Sequence, residues 1–149
     1  MNPTTAFDAD VLIYAAAKDH PLGTRVAELF ADAEAAAAVG VGSVLLLTEV
    51  LAKPMRDDPD SDECAALLSL LSRLELRPLD EPTARLSLAL AVSYGLRAAD
   101  AAHLATAVAA GVDRFLTNNR RDFPRSIAEI DIVYPDDLPA VERPSDLTS

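Results

Sequence analysis

The sequence predicts an α/β fold, a central, mostly parallel sheet of about five short strands flanked by helices on both faces. Two observations carry that prediction. Short apolar runs at residues 4–8, 39–41, 74–79, 114–117 and 130–134 alternate with longer stretches of helical period. That alternation is the pattern of a parallel sheet covered by helices. The chain is also 149 residues long, half hydrophobic and a quarter charged, which suits one folded domain around one real core.

Each element has a local reason. Residues 4–8 read as a buried strand and 11–17 as the start of a helix. A turn at Asp19, His20 and Pro21 leads into a helix over about 22–38, with Val26, Leu29 and Phe30 at helical spacing. Its alanine-rich end, 33–38, is favoured by alanine's helix propensity. Residues 39–41 are the second strand. Ser43 is placed to cap a helix through Leu45, Leu46, Glu49 and Val50 that Pro54 should end. Residues 56–62 form a polar loop, and Ser61 or Asp62 can cap a helix over about 63–73. Pro78 puts the third strand, 74–79, at an edge or an end. Asp80, Glu81 and Pro82 begin another helix, which closes at Gly95. The next, 98–110, closes on Gly111. Strands at 114–117 and 130–134 follow. From Pro135 the residues turn to Pro, Asp, Ser and Thr, so the expected organisation is a domain over 1–135 and a loose tail over 136–149.

Composition removes several classes of function. Cys64 is the only cysteine, which excludes an internal disulfide framework, and with only His20 and His103 besides it a structural zinc site has no ligand set. No run reaches the roughly 18 apolar residues that cross a bilayer. The N-terminal residues lack a basic start, and Asp8 and Asp10 interrupt the first apolar stretch, so the expected compartment is cytoplasmic. The net charge is −11, which argues against holding nucleic acid by a broad basic surface. It does not exclude a nuclease, because bound cations supply positive charge where a phosphate would sit.

In parallel sheets, ligands bind outside the carboxyl ends of the strands. Asp8 stands at such an end, with Asp10 two residues on; either can serve as a helix cap. Glu49 lies in a helix apolar nearly all round, so it faces a cleft or needs a partner. Asp100 opens a helix whose alanine-rich surroundings allow close packing, and His103 shares its face. Negative charge is also favoured at a helix start. The polar burst Thr117, Asn118, Asn119, Arg120, Arg121, Asp122 leaves the fourth strand, where site residues are expected, although Asn-Asn is also ordinary turn chemistry. Three acids from distant segments, mapped to one edge of a sheet, repel each other unless cations neutralise them. Hard oxygen ligands select magnesium or manganese, and the chemistry that uses them so is phosphodiester hydrolysis.

The sequence resembles the PIN-domain ribonucleases, and within them the VapC-like toxins of type II toxin–antitoxin systems, over about residues 4–134. Phe7-Asp8-Ala9-Asp10-Val11-Leu12-Ile13 is similar to the family's opening motif. Glu49 falls on its helical glutamate, Asp100 on its central aspartate, and Thr117 to Phe123 on its closing Thr-Asn segment. The resemblance implies a PIN-like fold and a metal-dependent endoribonuclease. Its Mg²⁺ or Mn²⁺ would be held by Asp8, Glu49 and Asp100, with Asn119 as a further catalytic residue and Asp10, Thr117 and Asp122 in support. Where many members carry a fourth aspartate, this chain has Asn119, which puts a second metal site in doubt. The resemblance further implies an RNA substrate, a homodimer and a cognate VapB-like antitoxin. Arg97, Arg120 and Arg121 are the basic residues nearest these motifs, either steering phosphates or simply solvated. His103 reads as a packed histidine behind the acids, not as a general base.

Two alternatives stand beside this reading. One is a PIN-like binding module without cleavage, which Asn119 keeps open. The other is a haloacid-dehalogenase-like phosphatase with Asp8 as nucleophile. Against it, Leu12 stands where that family has Thr or Val, and no lysine follows Lys53.

Overall fold

The computed structural model describes residues 3–17, 19–32 and 37–141. Five strands pair in the order β3-β2-β1-β4-β5, and every ladder is parallel. The strands are β1 (Thr5–Phe7), β2 (Gly40–Ser43), β3 (Leu74–Arg77), β4 (Arg114–Leu116) and β5 (Asp131–Val133). The helices are α1 (Ala9–Ala16), α2 (Pro21–Asp32), α3 (Leu46–Asp57), α4 (Asp62–Ser72), α5 (Glu81–Tyr94) and α6 (Ala98–Ala110). The α/β prediction holds, with helices on both faces.

Strand periodicity divides the core in two. Ala6, Phe115 and Ile132 are cross-strand neighbours and face α5 and α6, joining Leu90, Leu104 and Phe123. Phe7 and Leu116, one residue further along, point the other way into the cluster of Val11, Leu12, Val26, Leu46 and Leu67. Period-two alternation in a sheet buried on both faces does this without any polar face. At roughly 2 kcal/mol per fully buried large apolar side chain, each layer is substantial. Between α1 and α2 the approach is so close that a Cβ on Gly23 would lie 1.9 Å from the Tyr14 carbonyl oxygen. The turn before α2 uses Asp19 at φ 64°, and His20 Nδ1 accepts from the Leu22 and Gly23 N–H groups, both at 3.2 Å.

Several expected boundaries move. The first helix begins at Ala9, not Val11, because Asp8 is its N-cap. The predicted helix over 22–38 ends at Asp32, and Ala37 and Ala38 are not helical; residues 33–36 lie outside the described residues. The second strand is displaced to Gly40–Ser43, where it pairs with all four residues of β3. Ser43 closes that strand and its Oγ accepts from the Leu45 N–H at 3.2 Å, while the helix itself starts at Leu46 without a side-chain cap. Pro54 does not end α3, which runs to Asp57. A proline near the last turn forfeits only its own N–H, and its carbonyl still accepts from the Asp58 N–H at 2.9 Å. Nor is α3 buried all round: Leu46, Val50 and Leu51 are buried while Leu47, Thr48 and Glu49 are exposed. Beyond β5 the chain makes a short 3₁₀ turn, Pro135–Asp137, with Leu138 buried behind it. The last eight residues of the expected tail, 142–149, lie outside the described residues.

The chain winds outward from β1 through β2 to β3, then crosses back to β4 on the other side of β1. That reversal opens a crevice at the carboxyl ends of β1 and β4, the place where such sheets bind ligands. Among the described residues no helix is long and apolar enough to cross a membrane.

Candidate functional site

Asp8 enters this crevice directly from β1. Its backbone N–H donates to the Leu116 carbonyl at 3.0 Å, which extends the β1–β4 ladder by one bond and fixes the aspartate at the sheet edge. The residue is 5 % exposed, with Oδ1 accepting from the Ala9 N–H and Oδ2 from the Thr117 hydroxyl, each at 2.8 Å. Thr117 is wholly buried at the end of β4, so its hydroxyl has few competing partners. Burial pushes the Asp8 carboxyl above its usual range; His103, Thr117 and the Ala9 N–H pull it back, and the Glu49 charge adds to the rise.

Asp10 lies in the first turn of α1, and its Oδ2 accepts from the Asn118 N–H at 3.0 Å. Its Oδ1 is buried with no hydrogen-bond partner. Burial first, and then the Asp8 charge, raise its pKa to about 7. Asp100, in the first turn of α6, is likewise raised by burial and then by the charges of Asp8, Asp122 and Glu49. Five carboxylates from four segments of the chain therefore lie within electrostatic reach of one another.

Glu49 is held from behind. Its Oε2 lies 2.8 Å from His103 Nε2, and His103 is buried in the middle of α6, one turn after Asp100. The histidine thus stands behind the acids, as the sequence suggested. The loop after β4 is closed by its own side chains: Asn119 Nδ2 donates to Asp122 Oδ2 at 2.9 Å, and the Asn119 N–H donates to Thr117 Oγ1 at 3.1 Å. Hydrogen bonds tie Asp8 to Thr117, Thr117 to Asn119, Asn119 to Asp122 and Asp10 to Asn118, and the charges of Glu49 and Asp100 act on the same group.

The arginines divide. Arg120 is paired with Asp136 and stacks over Tyr134, while Arg97 and Arg121 are exposed and form no ion pair among the described residues. The sequence reading missed Tyr134, Asp136 and Asp137, which hold the same loop through its Arg120 and Arg125; an aromatic and two acids in a Pro-Asp-rich segment gave no periodic signal.

The donor set suits a hard divalent cation. It is all carboxylate and amide oxygen, self-repelling, and includes a buried acceptor on Asp10 that lacks a donor. Among the described residues no three His, Cys, Asp or Glu side chains converge closely enough to hold an ion as they stand.

The PIN-domain profile matches residues 6–128. The chain belongs to the PIN-domain family. Every residue of the crevice named above falls inside the matched span, whereas β5 and Tyr134 lie beyond it. No curated protein matches by sequence. Among solved structures, the PIN fold is similar to a chain of a toxin–antitoxin complex from Klebsiella pneumoniae, at 22% identity and TM-score 0.67, covering 89% of this chain and 97% of that one. It is equally similar, at TM-score 0.67 and 17% identity, to a chain of VapBC2 from Rickettsia felis bound to promoter DNA, covering 88% and 98%. A chain of FitAB bound to a DNA fragment gives the same score at 17% identity, covering 89% and 95%. These likenesses are in fold.

Proposed function

We propose that this PIN-domain protein is a metal-dependent endoribonuclease acting as the VapC-like toxin of a toxin–antitoxin pair. The observation that carries the reading is the gathering of Asp8, Glu49 and Asp100, from three distant segments, at the crevice between β1 and β4. Their repulsion has no structural use, and family membership leaves the phosphatase alternative without support.

In this reading Asp8, Glu49 and Asp100 hold Mg²⁺ or Mn²⁺. Bound there, the ion supplies positive charge to the scissile phosphate and acidifies water. The chain's own residues do the positioning. Thr117 fixes one Asp8 oxygen, His103 holds Glu49, and Asn119 with Asp122 shapes the wall where water and phosphate would be oriented. Asn119 brings no charge, so one ion held tightly, with a second arriving alongside RNA, fits this wall. Asp10 supports through the Asn118 backbone. Arg97 and Arg121, exposed and without an ion pair among the described residues, are the cations offered to backbone phosphates.

A homodimer, a cognate VapB-like antitoxin and a cytoplasmic location belong to the same proposal; the similar Klebsiella pneumoniae chain is part of a toxin–antitoxin complex, and the Rickettsia felis one is part of VapBC2. The test is cleavage of a mixed RNA pool with Mg²⁺, with Mn²⁺ and with EDTA, for the wild type and Asp100→Asn, with product 5′ ends sequenced. Cutting that needs metal and disappears in the variant supports the reading and reports the target sequence. Folded, partner-free protein that cuts in neither metal would leave a PIN-like binding module, with Asn119 as the residue to explain.

A further inference from the structure

We propose that the segment from Tyr134 to Leu138 is a strap that holds the site loop in place, with Tyr134 as its positioning residue; the functional part of this inference rests on the nuclease reading above. Between the end of β4 and the start of β5 the chain runs from 117 to 130 without helix or strand. A stretch of that length in a compact domain needs anchoring from outside itself. It also carries Thr117, Asn119 and Asp122.

The anchors come from the strap. The Tyr134 hydroxyl donates to the Phe123 carbonyl at 2.7 Å in a buried setting, immediately after Asp122. The guanidiniums of Arg120 and Arg125, from within the loop, both stack over the Tyr134 ring, each 4.5 Å from its centre. Arg120 pairs with Asp136, and Arg125 pairs with Asp137 at 2.8 Å. Asp137 in turn accepts from the Tyr134 N–H at 2.8 Å, closing the turn on itself. The far side is moored to α2, where Arg25 donates to the Asp136 and Leu138 carbonyls, both at 3.1 Å. Loop, ring, acids and helix form one continuous chain of contacts. Each surface ion pair alone is worth little; the buried hydroxyl and the two stacked cations give the ring its hold on the loop.

One consequence is that Arg120 is occupied by the strap and is not a phosphate contact. A second is that a change at Tyr134, outside the matched PIN span, alters the geometry of Asn119 and Asp122 without touching either.

The test uses the full chain, with Tyr134→Phe, which removes only the hydroxyl, and Arg25→Ala, which loosens the mooring away from the core. Amide hydrogen exchange is followed together with Mn²⁺ titration by calorimetry and, for RNA cutting, kcat and KM. In Tyr134→Phe the Asn119 and Phe123 amides should exchange roughly tenfold faster, with α6 amides unchanged. Mn²⁺ should bind several-fold more weakly, and kcat should fall while KM for RNA holds. Arg25→Ala should give the same pattern to a smaller degree. Faster exchange confined to residues 134–138, with Asn119 and Phe123 as in the wild type, would overturn the strap. A wild type that neither binds Mn²⁺ nor cuts RNA sinks the nuclease reading alone, and the exchange pattern then still decides for or against the strap.

Discussion

Asp8 and Asp80 hold the same local post in two parts of the sheet. Each follows a parallel strand and N-caps the next helix from an extended backbone, at φ −82° ψ 163° and φ −76° ψ 174°. Each accepts from a first-turn N–H, Asp8 from Ala9 at 2.8 Å and Asp80 from Thr83 at 3.0 Å. Yet their carboxyls move in opposite directions. The Thr83 hydrogen bonds hold Asp80 below the usual carboxylate range, whereas burial carries Asp8 above it. The cause is position. Asp80 follows edge strand β3 and is open to water, while Asp8 leaves central strand β1, where α6 and the β4 loop close over it and bring Glu49, His103 and Asp100 within reach. Capping chemistry therefore explains Asp80 fully and Asp8 only in part.

The sharpest way to break that contrast is to neutralise each acid. Asp8→Asn should reduce metal-dependent RNA cutting roughly a thousandfold or more, the scale on which loss of a central catalytic group is felt. Its thermal midpoint in EDTA should stay the same or rise, because the change removes a buried charge facing other carboxylates. Mn²⁺ should then stabilise the wild type and not the variant. Unchanged cutting in Asp8→Asn would reduce Asp8 to a cap like Asp80.

A smaller effect, separable by pH, lies at Asp10. Its folded-state pKa of about 7 is above the usual value of 3.8, so between those values the folded protein keeps a proton that the unfolded chain has released. Stability from this group is thus present at low pH and is lost as pH rises from about 4 to about 7. Asp80 has the reverse sign: its contribution is present above the unfolded pKa and disappears below about 4 as pH falls through its lowered folded value. Denaturant melts of metal-free protein should show stability declining as pH rises from about 4 to about 7, a decline that Asp10→Asn flattens. A slope identical in the variant would remove Asp10 as its source.

These contrasts also show what the sequence alone could convey. The parallel sheet was legible because buried strands and helices differ in length and period, and Asp8, Glu49, Asp100 and the Thr117–Asp122 stretch were legible because the family motifs carry them. What escaped was set by contacts between distant segments. The Glu49–His103 pairing joins residues 54 positions apart, and no local pattern specifies it. Within the strap, only the residues from Asp136 on read as the beginning of a loose tail, since Pro and Asp are as suited to a solvated end as to a turn whose acids are claimed by Arg120 and Arg125. Pro54 reads as a stop under a rule that concerns helix interiors, whereas it falls near a last turn that tolerates it.

The smallest expected effect falls on Asp80→Ala. The variant loses the side-chain acceptor at the start of α5, leaving the Thr83 N–H without its cap, so the midpoint should drop by a few degrees. RNA cutting measured well below that midpoint should stay within about twofold of wild type, since surface changes remote from a site leave it intact. The acid flank of the stability profile should flatten below pH 4, about where the unfolded carboxyl titrates, and the decline toward neutrality should remain. If Asp80→Ala instead weakened cutting as Asp8→Asn does, the separation of the two caps by burial would fail. The edge of the sheet beside β3 would then have to be counted as part of the site.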